Sequence, residues 1–194
     1  MNVYWLAIDK SDGHSSYEEF KDRSVIAQGW SSINLTNLFK PTAISNRALF
    51  DQGVLTIGQQ VYGNYDWWLN KDQYHVPRIM YMLASLKKGD LIVGIEGIKV
   101  RGICEVKING WDSYYYDASS DLEYRNTFGG KVEWVDWCPY RIGKAPIPPA
   151  QSVKGIASLN KERSYVINVW KALKPENLRY SIGLVEDTIR VYDD

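Results

Sequence analysis

The sequence predicts an α+β domain built on a small, curved, barrel-like β-sheet flanked by helices. Strand-like and helix-like segments are mixed along the chain without the regular β–α–β alternation that is typical of parallel sheets. A β-hairpin, residues 90–95 and 98–108 around Gly97, is predicted directly after an amphipathic helix. No linker or repeat divides the 194 residues, which is an ordinary length for one domain. We therefore expect a single domain over residues 1–194.

The first half of the chain opens with a predicted strand over residues 3–8, closed by the turn-rich residues 9–13. Ser15 or Ser16 is suited to cap a short helix, and residues 24–30 match a second strand. A helix or turn is predicted near Leu38 and a further helical turn over residues 43–50. Residues 54–62 are ambiguous because Gly58 weakens a strand, and residues 63–68 have the composition of a loop.

The second half of the chain contains the clearest helix, over residues 77–88. Pro77 suits its first turn, and Lys87 and Lys88 suit its C-terminal end. Residues 109–130 are long, polar and tyrosine-rich and are predicted to be a loop. Strict alternation over residues 131–137 predicts a strand with one buried face, residues 161–173 predict an amphipathic helix, and residues 182–192 are compatible with a last strand.

Composition and charge favour a binding protein over one that coats nucleic acid non-specifically. Lys plus Arg and Asp plus Glu number 23 each, so the formal net charge is zero, whereas non-specific nucleic-acid binders are usually basic. Aromatic residues make up 13% of the chain, with eight Trp and fourteen Tyr against four Phe. Trp and Tyr suit surfaces that are half buried and half used for binding, although a mixed sheet also favours them. We expect at least one aromatic binding pocket.

The two cysteines, Cys104 and Cys138, lie far apart in the sequence and fit no metal-binding spacing. Two free thiols in a chain without a recognisable signal peptide predict a reducing, cytoplasmic compartment. No apolar stretch has the length needed to cross a bilayer. We expect no metal, no cofactor and no membrane partner.

Catalytic motifs are not recognisable in the sequence. The two histidines, His14 and His75, are too few and too scattered for a zinc site, and neither a nucleophile elbow nor a phosphate-binding loop is present. The remaining pairings are more typical of solvated or buried structural groups: Asp66 with Asp72, Glu96 with Glu105, and Cys104 with His75. We therefore expect no enzymatic activity in this chain.

Three segments, taken in order, carry a resemblance to a known superfamily. They are residues 26–31 (IAQGWS) after the N-terminal strand, residues 86–93 (LKKGDLIV) running into 100–106 (VRGICEV), and residues 131–137 (KVEWVDW) followed by the Ile-Pro-Pro of 147–149. Together they resemble EVE domains, members of the PUA-like group that also contains the YTH readers. They are similar above all to the N-terminal reader domains of McrB-type modification-dependent restriction systems. The resemblance covers about residues 3–170.

The resemblance implies a small barrel that holds a modified, methylated base in an aromatic cage after the base has left the stack. Trp30 matches the cage aromatic that follows the second strand, and Ser31 and Ser32 follow it, where backbone and hydroxyl groups could meet the base. The further cage residues that we expect are Trp67, Trp68, Trp111 and Tyr115. Trp134 and Trp137 are expected to straddle the barrel wall, with one of them in the core.

The resemblance also implies methylated duplex DNA as the partner, with a AAA+ GTPase motor and a nuclease subunit supplying any NTPase or nuclease activity. The basic side chains expected to contact the nucleic-acid backbone are Lys87, Lys88, Arg101, Arg125, Lys131 and Arg141. Two alternatives use the same aromatic cleft: a reader of modified RNA, and a module that binds another small ligand or a protein.

Overall fold

The computed structural model describes residues 1–8, 10–11, 14–40, 46–97, 99–119, 123–137 and 156–174. Over these residues the chain has an α+β fold, so the predicted fold class is confirmed. The helices are α1 (Ser16–Arg23), α2 (Arg47–Tyr62), α3 (Gln73–Ala84), α4 (Gly110–Ser113) and α5 (Arg163–Leu173). The strands are β1 (Val3–Ile8), β2 (Lys10–Ser11), β3 (His14–Ser15), β4 (Ile26–Gln28), β5 (Leu91–Glu96), β6 (Lys99–Glu105), β7 (Tyr115–Tyr116), β8 (Asn126–Phe128), β9 (Val135–Asp136) and β10 (Ile156–Ser158).

The described strands form three sheets and do not close into one barrel. The largest has the order β10-β1-β5-β6-β9, in which β1 pairs parallel with β5 and the other neighbours are antiparallel. The predicted hairpin is its β5–β6 pair, with a register shift between Gly94 and Ile95. The second sheet has the order β4-β8-β7, and β2 pairs with β3. The second sheet matters most below, because β4 leads into Trp30.

Two hydrophobic cores lie on the two faces of the five-stranded sheet. Alternation along β1 sends Leu6 and Ile8 into one core and Val3 and Trp5 into the other, as a strand with two buried faces requires. Helix α3 packs in the first core, and α5 contributes Val166 and Trp170 to the second. Trp134 belongs to the first core and Trp137 to the second, so both tryptophans that were expected at the wall are buried.

Helices α2 and α3 differ from their predicted bounds. Residues 47–62, predicted as a helical turn and an ambiguous stretch, form one continuous helix capped by the side chain of Asn46. Helix α3 begins at Gln73 and ends at Ala84, so Pro77 lies in its second turn and Lys87 and Lys88 lie beyond its end. A π-helical turn, Trp68–Asp72, leads directly into α3 and extends it on the N-terminal side. No helix in the described ranges is both long and apolar enough to cross a membrane.

Two predictions in the second half were wrong in detail. Residues 109–130 were expected to be a loop, but they contain α4, β7 and β8, with Tyr115 opposite Thr127. Over residues 131–137 only β9 pairs with a neighbour, although Val132 and Trp134 are buried and Lys131 and Glu133 are exposed, as the alternation predicts. The helix expected at 161–173 is α5, and residues 182–192 lie outside the described residues.

Candidate functional site

Trp30 follows β4 and has an unusual backbone conformation. Its φ is 56°, and among the described non-glycine residues only Ser24 shares a positive value. A bulky aromatic residue in the left-handed region is a genuine outlier, because its Cβ crowds the backbone. Such strain costs about 1–3 kcal/mol and persists only where the surroundings over-determine the conformation. The contacts that fix this turn therefore define a candidate site.

The sheet β4-β8-β7 holds the backbone of the Trp30 turn from one side. The amide nitrogen of Asn126 donates to the carbonyl oxygens of Gly29, at 3.3 Å, and of Trp30, at 3.5 Å. The Tyr116 hydroxyl donates to the Ser31 carbonyl oxygen at 2.6 Å. The carbonyls of three successive residues are thus used by side chains from strands that lie about a hundred residues further along the chain.

The C-terminal end of α2 and the π-helical turn hold the other side of the Trp30 turn. The Ser32 N–H donates to the Tyr62 hydroxyl at 3.1 Å, and the Trp30 indole N–H donates to Oδ2 of Asp72 at 2.9 Å. The indole is half-buried against the first core. Within the described part of the chain, the hydroxyls of Ser31 and Ser32 have no hydrogen-bond partner, so these two groups remain able to meet a ligand.

An exposed aromatic loop lies next to this turn. The Tyr62 ring is 4.9 Å from the ring of Trp67, and Trp67 is 5.6 Å from Tyr65, centroid to centroid. Trp67 is 43% exposed and Tyr65 53%, so both rings present faces to solvent. Tyr62 therefore bridges Ser32 and Trp67 and brings two predicted site segments into one neighbourhood.

Trp68 was expected in the cage, but its side chain is fully buried in the first core. A Cβ placed on Gly58 of α2 would lie 2.1 Å from the Trp68 ring, so helix and ring are in direct contact. The Trp68 indole N–H donates to the side chain of Gln59 at 3.3 Å. Adjacent residues on a helical turn point in different directions, which is why Trp67 is exposed and Trp68 anchors the loop.

Trp111 lies in a separate cluster on α4. Its ring is 5.0 Å from Phe39 and 5.2 Å from Phe50, and it is half-buried. Tyr114 connects this cluster to the site: it stacks on Phe39 at 4.0 Å, and its hydroxyl donates to Oδ1 of Asn126. Burial raises the pKa of Tyr114 well above its usual value, so this hydroxyl stays protonated and able to donate. Trp111 is thus linked to the Trp30 turn through Phe39, Tyr114 and Asn126.

Tyr115 on β7 is 62% exposed and pairs with Thr127. Its neighbours Tyr114 and Tyr116 point to the other side of the strand, where they contact Asn126 and the Ser31 carbonyl. Tyr115 therefore faces solvent on the outer side of the small sheet. Its proposed place in the cage stays a prediction.

Arg101, which was expected at the nucleic-acid backbone, is held in ion pairs within the chain, and its contact with phosphate stays a prediction. Its guanidinium group forms ion pairs with Glu96, which is buried, and with Glu18 at 2.8 Å. It also lies over the ring of Tyr17, with 5.2 Å between the guanidinium carbon and the ring centroid. Because two carboxylates already neutralise this charge, a phosphate would have to compete with them.

The predicted lysines gather at one end of the molecule. Lys87 and Lys88 are exposed in the turn between α3 and β5, where the Lys88 N–H donates to the side chain of Asn109. Lys131 is exposed just beyond β8, and the preceding Gly129 carbonyl accepts from the N–H groups of residues 107 and 108. The loops that carry the three lysines thus meet through residues 106–110.

The other two predicted basic residues add little to this end. Arg125 is half-buried and interacts with other groups of the chain. Arg141 lies outside the described residues. Of the six basic residues expected at the backbone interface, the three lysines fit that role best.

Four residues of the site were missed by sequence reasoning or assigned another role: Gln28, Tyr62, Asp72 and Asn126. Asp72 was considered only as a solvated carboxylate. Only Gln28 could have been noticed in the sequence, because it is a polar residue within an otherwise apolar strand. The contacts of the other three reach Trp30 or Ser32 across 30 to 96 residues, which no local pattern reveals.

No protein-family profile matches the chain, and no curated protein is similar to it in sequence. Among solved structures, the chain is similar to a YTH domain from Zygosaccharomyces rouxii that was crystallised in complex with N6-methyladenosine RNA. The two share 11% sequence identity with a TM-score of 0.40, and the match covers 89% of each chain.

Proposed function

We propose that this chain is a non-enzymatic binding module that holds a methylated base of nucleic acid against Trp30. The observation that carries the proposal is the strained, multiply fixed conformation of Trp30 beside exposed aromatic rings. Strain of this kind clusters at binding and catalytic sites, where pre-organisation of a side chain repays its cost. Residues 1–194 are proposed to act as one domain.

The chemistry of the site suits a base that has left its stack. Such a base loses its stacked neighbours, and an indole or phenol ring restores about 1–3 kcal/mol for each stacked base. Trp30 supplies one such ring, and Trp67 supplies a second across the Tyr62 bridge. A buried methyl group adds about 0.8 kcal/mol of hydrophobic free energy, and the free hydroxyls of Ser31 and Ser32 can pair with polar atoms of the base.

We propose DNA as the nucleic acid, following the restriction-system readers that the sequence resembles. A duplex target requires the methylated base to be flipped out before it can reach Trp30. A AAA+ GTPase motor and a nuclease subunit are the partners that this role implies. A reader of modified RNA, or a module for another small ligand, would use the same residues and is an outcome of the test below.

The test is a binding titration with matched probes across a salt series. The probes are a plain duplex, duplexes containing 5-methylcytosine, N4-methylcytosine or N6-methyladenine, and single-stranded DNA and RNA with and without the same marks. We expect one methylated DNA probe to bind more tightly than its unmodified partner at every salt concentration, because phosphate contacts alone are blind to the mark. Equal affinity for all pairs would refute the reader function, and preference for a methylated RNA would transfer it to RNA.

The variant Trp30→Ala tests whether the preference for a methylated probe depends on the candidate site. Loss of one stacking face should weaken binding of the preferred probe by about 1–3 kcal/mol, roughly 5- to 150-fold. Tyr165→Ala is the matched control, because Tyr165 is a partly exposed aromatic of α5 beside the second core. An unchanged affinity in Trp30→Ala, or an equal loss in Tyr165→Ala, would place the ligand elsewhere.

A further inference from the structure

Gln28, the last residue of β4, has a buried polar atom without a partner. The residue is 9% exposed, and its side-chain oxygen is inaccessible to solvent and has no hydrogen-bond partner among the described residues. A buried acceptor that is left unpaired has lost its hydrogen bonds to water without gaining another partner, which destabilises the fold. Native folds contain few such groups, and each calls for a specific explanation.

The register of the small sheet places Gln28 at the site described above. Gln28 is the direct partner of Asn126 in the β4–β8 ladder, so the two side chains project from the same face. The Asn126 amide reaches the Gly29 and Trp30 carbonyls from that face. Gln28 therefore lies two residues before Trp30 and beside the side chain that fixes the Trp30 turn.

The two amides on this face have different hydrogen-bonding states. Asn126 is satisfied at both ends, since its nitrogen donates to two carbonyls and its oxygen accepts from Tyr114. The Gln28 oxygen has no donor, while its amide nitrogen is not among the buried unpaired atoms. On this face of the sheet, the Gln28 side-chain oxygen is therefore an acceptor without a donor.

We propose that the Gln28 side-chain oxygen accepts a hydrogen bond from the exocyclic amino group of the base held against Trp30. This inference rests on the proposed function, and it narrows the ligand to bases whose exocyclic amino group keeps at least one hydrogen, which excludes thymine and uracil. Pairing the oxygen on binding removes the cost that it carries in the free protein, so the bond contributes more than an exposed one would.

An acceptor at this position solves a selectivity problem that a methyl-binding site in DNA faces. Thymine already carries a methyl group and is abundant in any unmodified duplex. Its exocyclic group is a carbonyl oxygen, whereas cytosine and adenine present an amino donor. Two acceptors that face each other in a buried site leave both unpaired, so thymine would be rejected even though its methyl group fits.

The experiment compares Gln28→Met with the parent protein on two probes. One probe carries the methylated base that the parent prefers, and the other carries the same base with its amino hydrogens replaced by methyl groups. We expect the parent to bind the first probe roughly tenfold or more tightly than the second, since the second leaves the acceptor unpaired. In Gln28→Met this preference should shrink to about threefold or less, because no acceptor remains.

The same variant separates a ligand contact from a structural role. Methionine is similar in length and apolar, and the oxygen that it removes has no partner in the free protein. Thermal unfolding of Gln28→Met should therefore occur at or above the parent temperature. A large drop in melting temperature would show that Gln28 supports the fold instead. Gln28→Asn, which withdraws the amide by one methylene, is the second variant and should lose the same discrimination.

The outcomes distinguish this inference from the proposed function. If the parent prefers no methylated probe, the reader function itself fails. If the parent prefers one but both Gln28 variants discriminate between the two amino probes as the parent does, the reader function stands and the Gln28 contact is refuted.

Discussion

The strain at Trp30 can be measured by comparing Trp30→Gly with Trp30→Ala. Both variants remove the indole ring and its hydrogen bond to Asp72, so those losses cancel when one variant is compared with the other. What differs is one Cβ at a residue with φ of 56°. Alanine bears the steric cost of a Cβ at positive φ, whereas glycine has no Cβ and adopts a positive φ freely.

The expected difference follows from two opposing costs. A Cβ at positive φ costs about 1–2 kcal/mol. Glycine has more conformational freedom to lose on folding, which costs about 0.5–1 kcal/mol relative to alanine at an ordinary position. The net result is that Trp30→Gly should be more stable than Trp30→Ala by up to about 1.5 kcal/mol, with a midpoint of about 0.75 kcal/mol. At negative φ the order would be reversed.

Equilibrium unfolding in urea gives the free energy of unfolding of both variants, and a common slope would show that the same surface is exposed in each. Ser31 provides the matched control, since it lies in the same turn and is not among the residues with positive φ. There Ser31→Gly should be less stable than Ser31→Ala. If Trp30→Gly is also the less stable member of its pair, the turn is unstrained, and its conformation no longer supports a binding role for Trp30.

Two further predictions concern the frame that holds the site. Gly58→Ala should destabilise the protein by about 1–3 kcal/mol, because the new Cβ would overlap the Trp68 ring, whereas an exposed helical position such as Gln60 should tolerate alanine. A gain in the free energy of unfolding, the usual result of Gly→Ala in a helix, would contradict the buried position of Trp68. The hydrogen bond from Lys21 holds the pKa of Asp136 below its usual value, so this pair stabilises the fold above about pH 4 and that contribution is lost as the pH falls further. In Asp136→Asn, the free energy of unfolding should fall by about 0.5 kcal/mol less between neutral and acid pH than in the parent, as for a solvent-exposed pair. An equal fall in both proteins would show that the pair does not contribute to stability.

Sequence periodicity was informative wherever an element is long enough to bury one face. The β5–β6 hairpin and the helices α1 and α5 were all predicted from local pattern. The strands β7 and β8 were not, because they are two and three residues long and pair across a nine-residue connection. At that length alternation carries no signal, and only the tertiary hydrogen bonds define the strands.

Some features of the candidate site were likewise predictable from the sequence, and others were not. Trp30 was predicted because it matches the cage aromatic that the resemblance implies after the second strand, and because it stands between Gly29 and two serines. The choice between Trp67 and Trp68 was not available from sequence, because it depends on Gly58 admitting one ring against α2. Nor could sequence show that Asp72 accepts from the Trp30 indole, since that bond depends on how the π-helical turn meets the end of β4.

The charge distribution indicates where the binding energy of a reader of this kind must come from. Among the six basic residues expected at the nucleic-acid backbone, Arg101 is neutralised by two glutamates, and Lys87, Lys88 and Lys131 are exposed. The formal net charge of the chain is zero. Each phosphate contact contributes a slope of about −0.9 to the dependence of log affinity on log salt, so three contacts give at most about −2.7. That is shallow beside proteins that rely on six or more contacts, and it leaves little affinity for unmodified duplex. If the proposed reader function holds, we therefore expect discrimination to arise at the base itself, from the rings of Trp30 and Trp67 and from the pairing of polar groups around them.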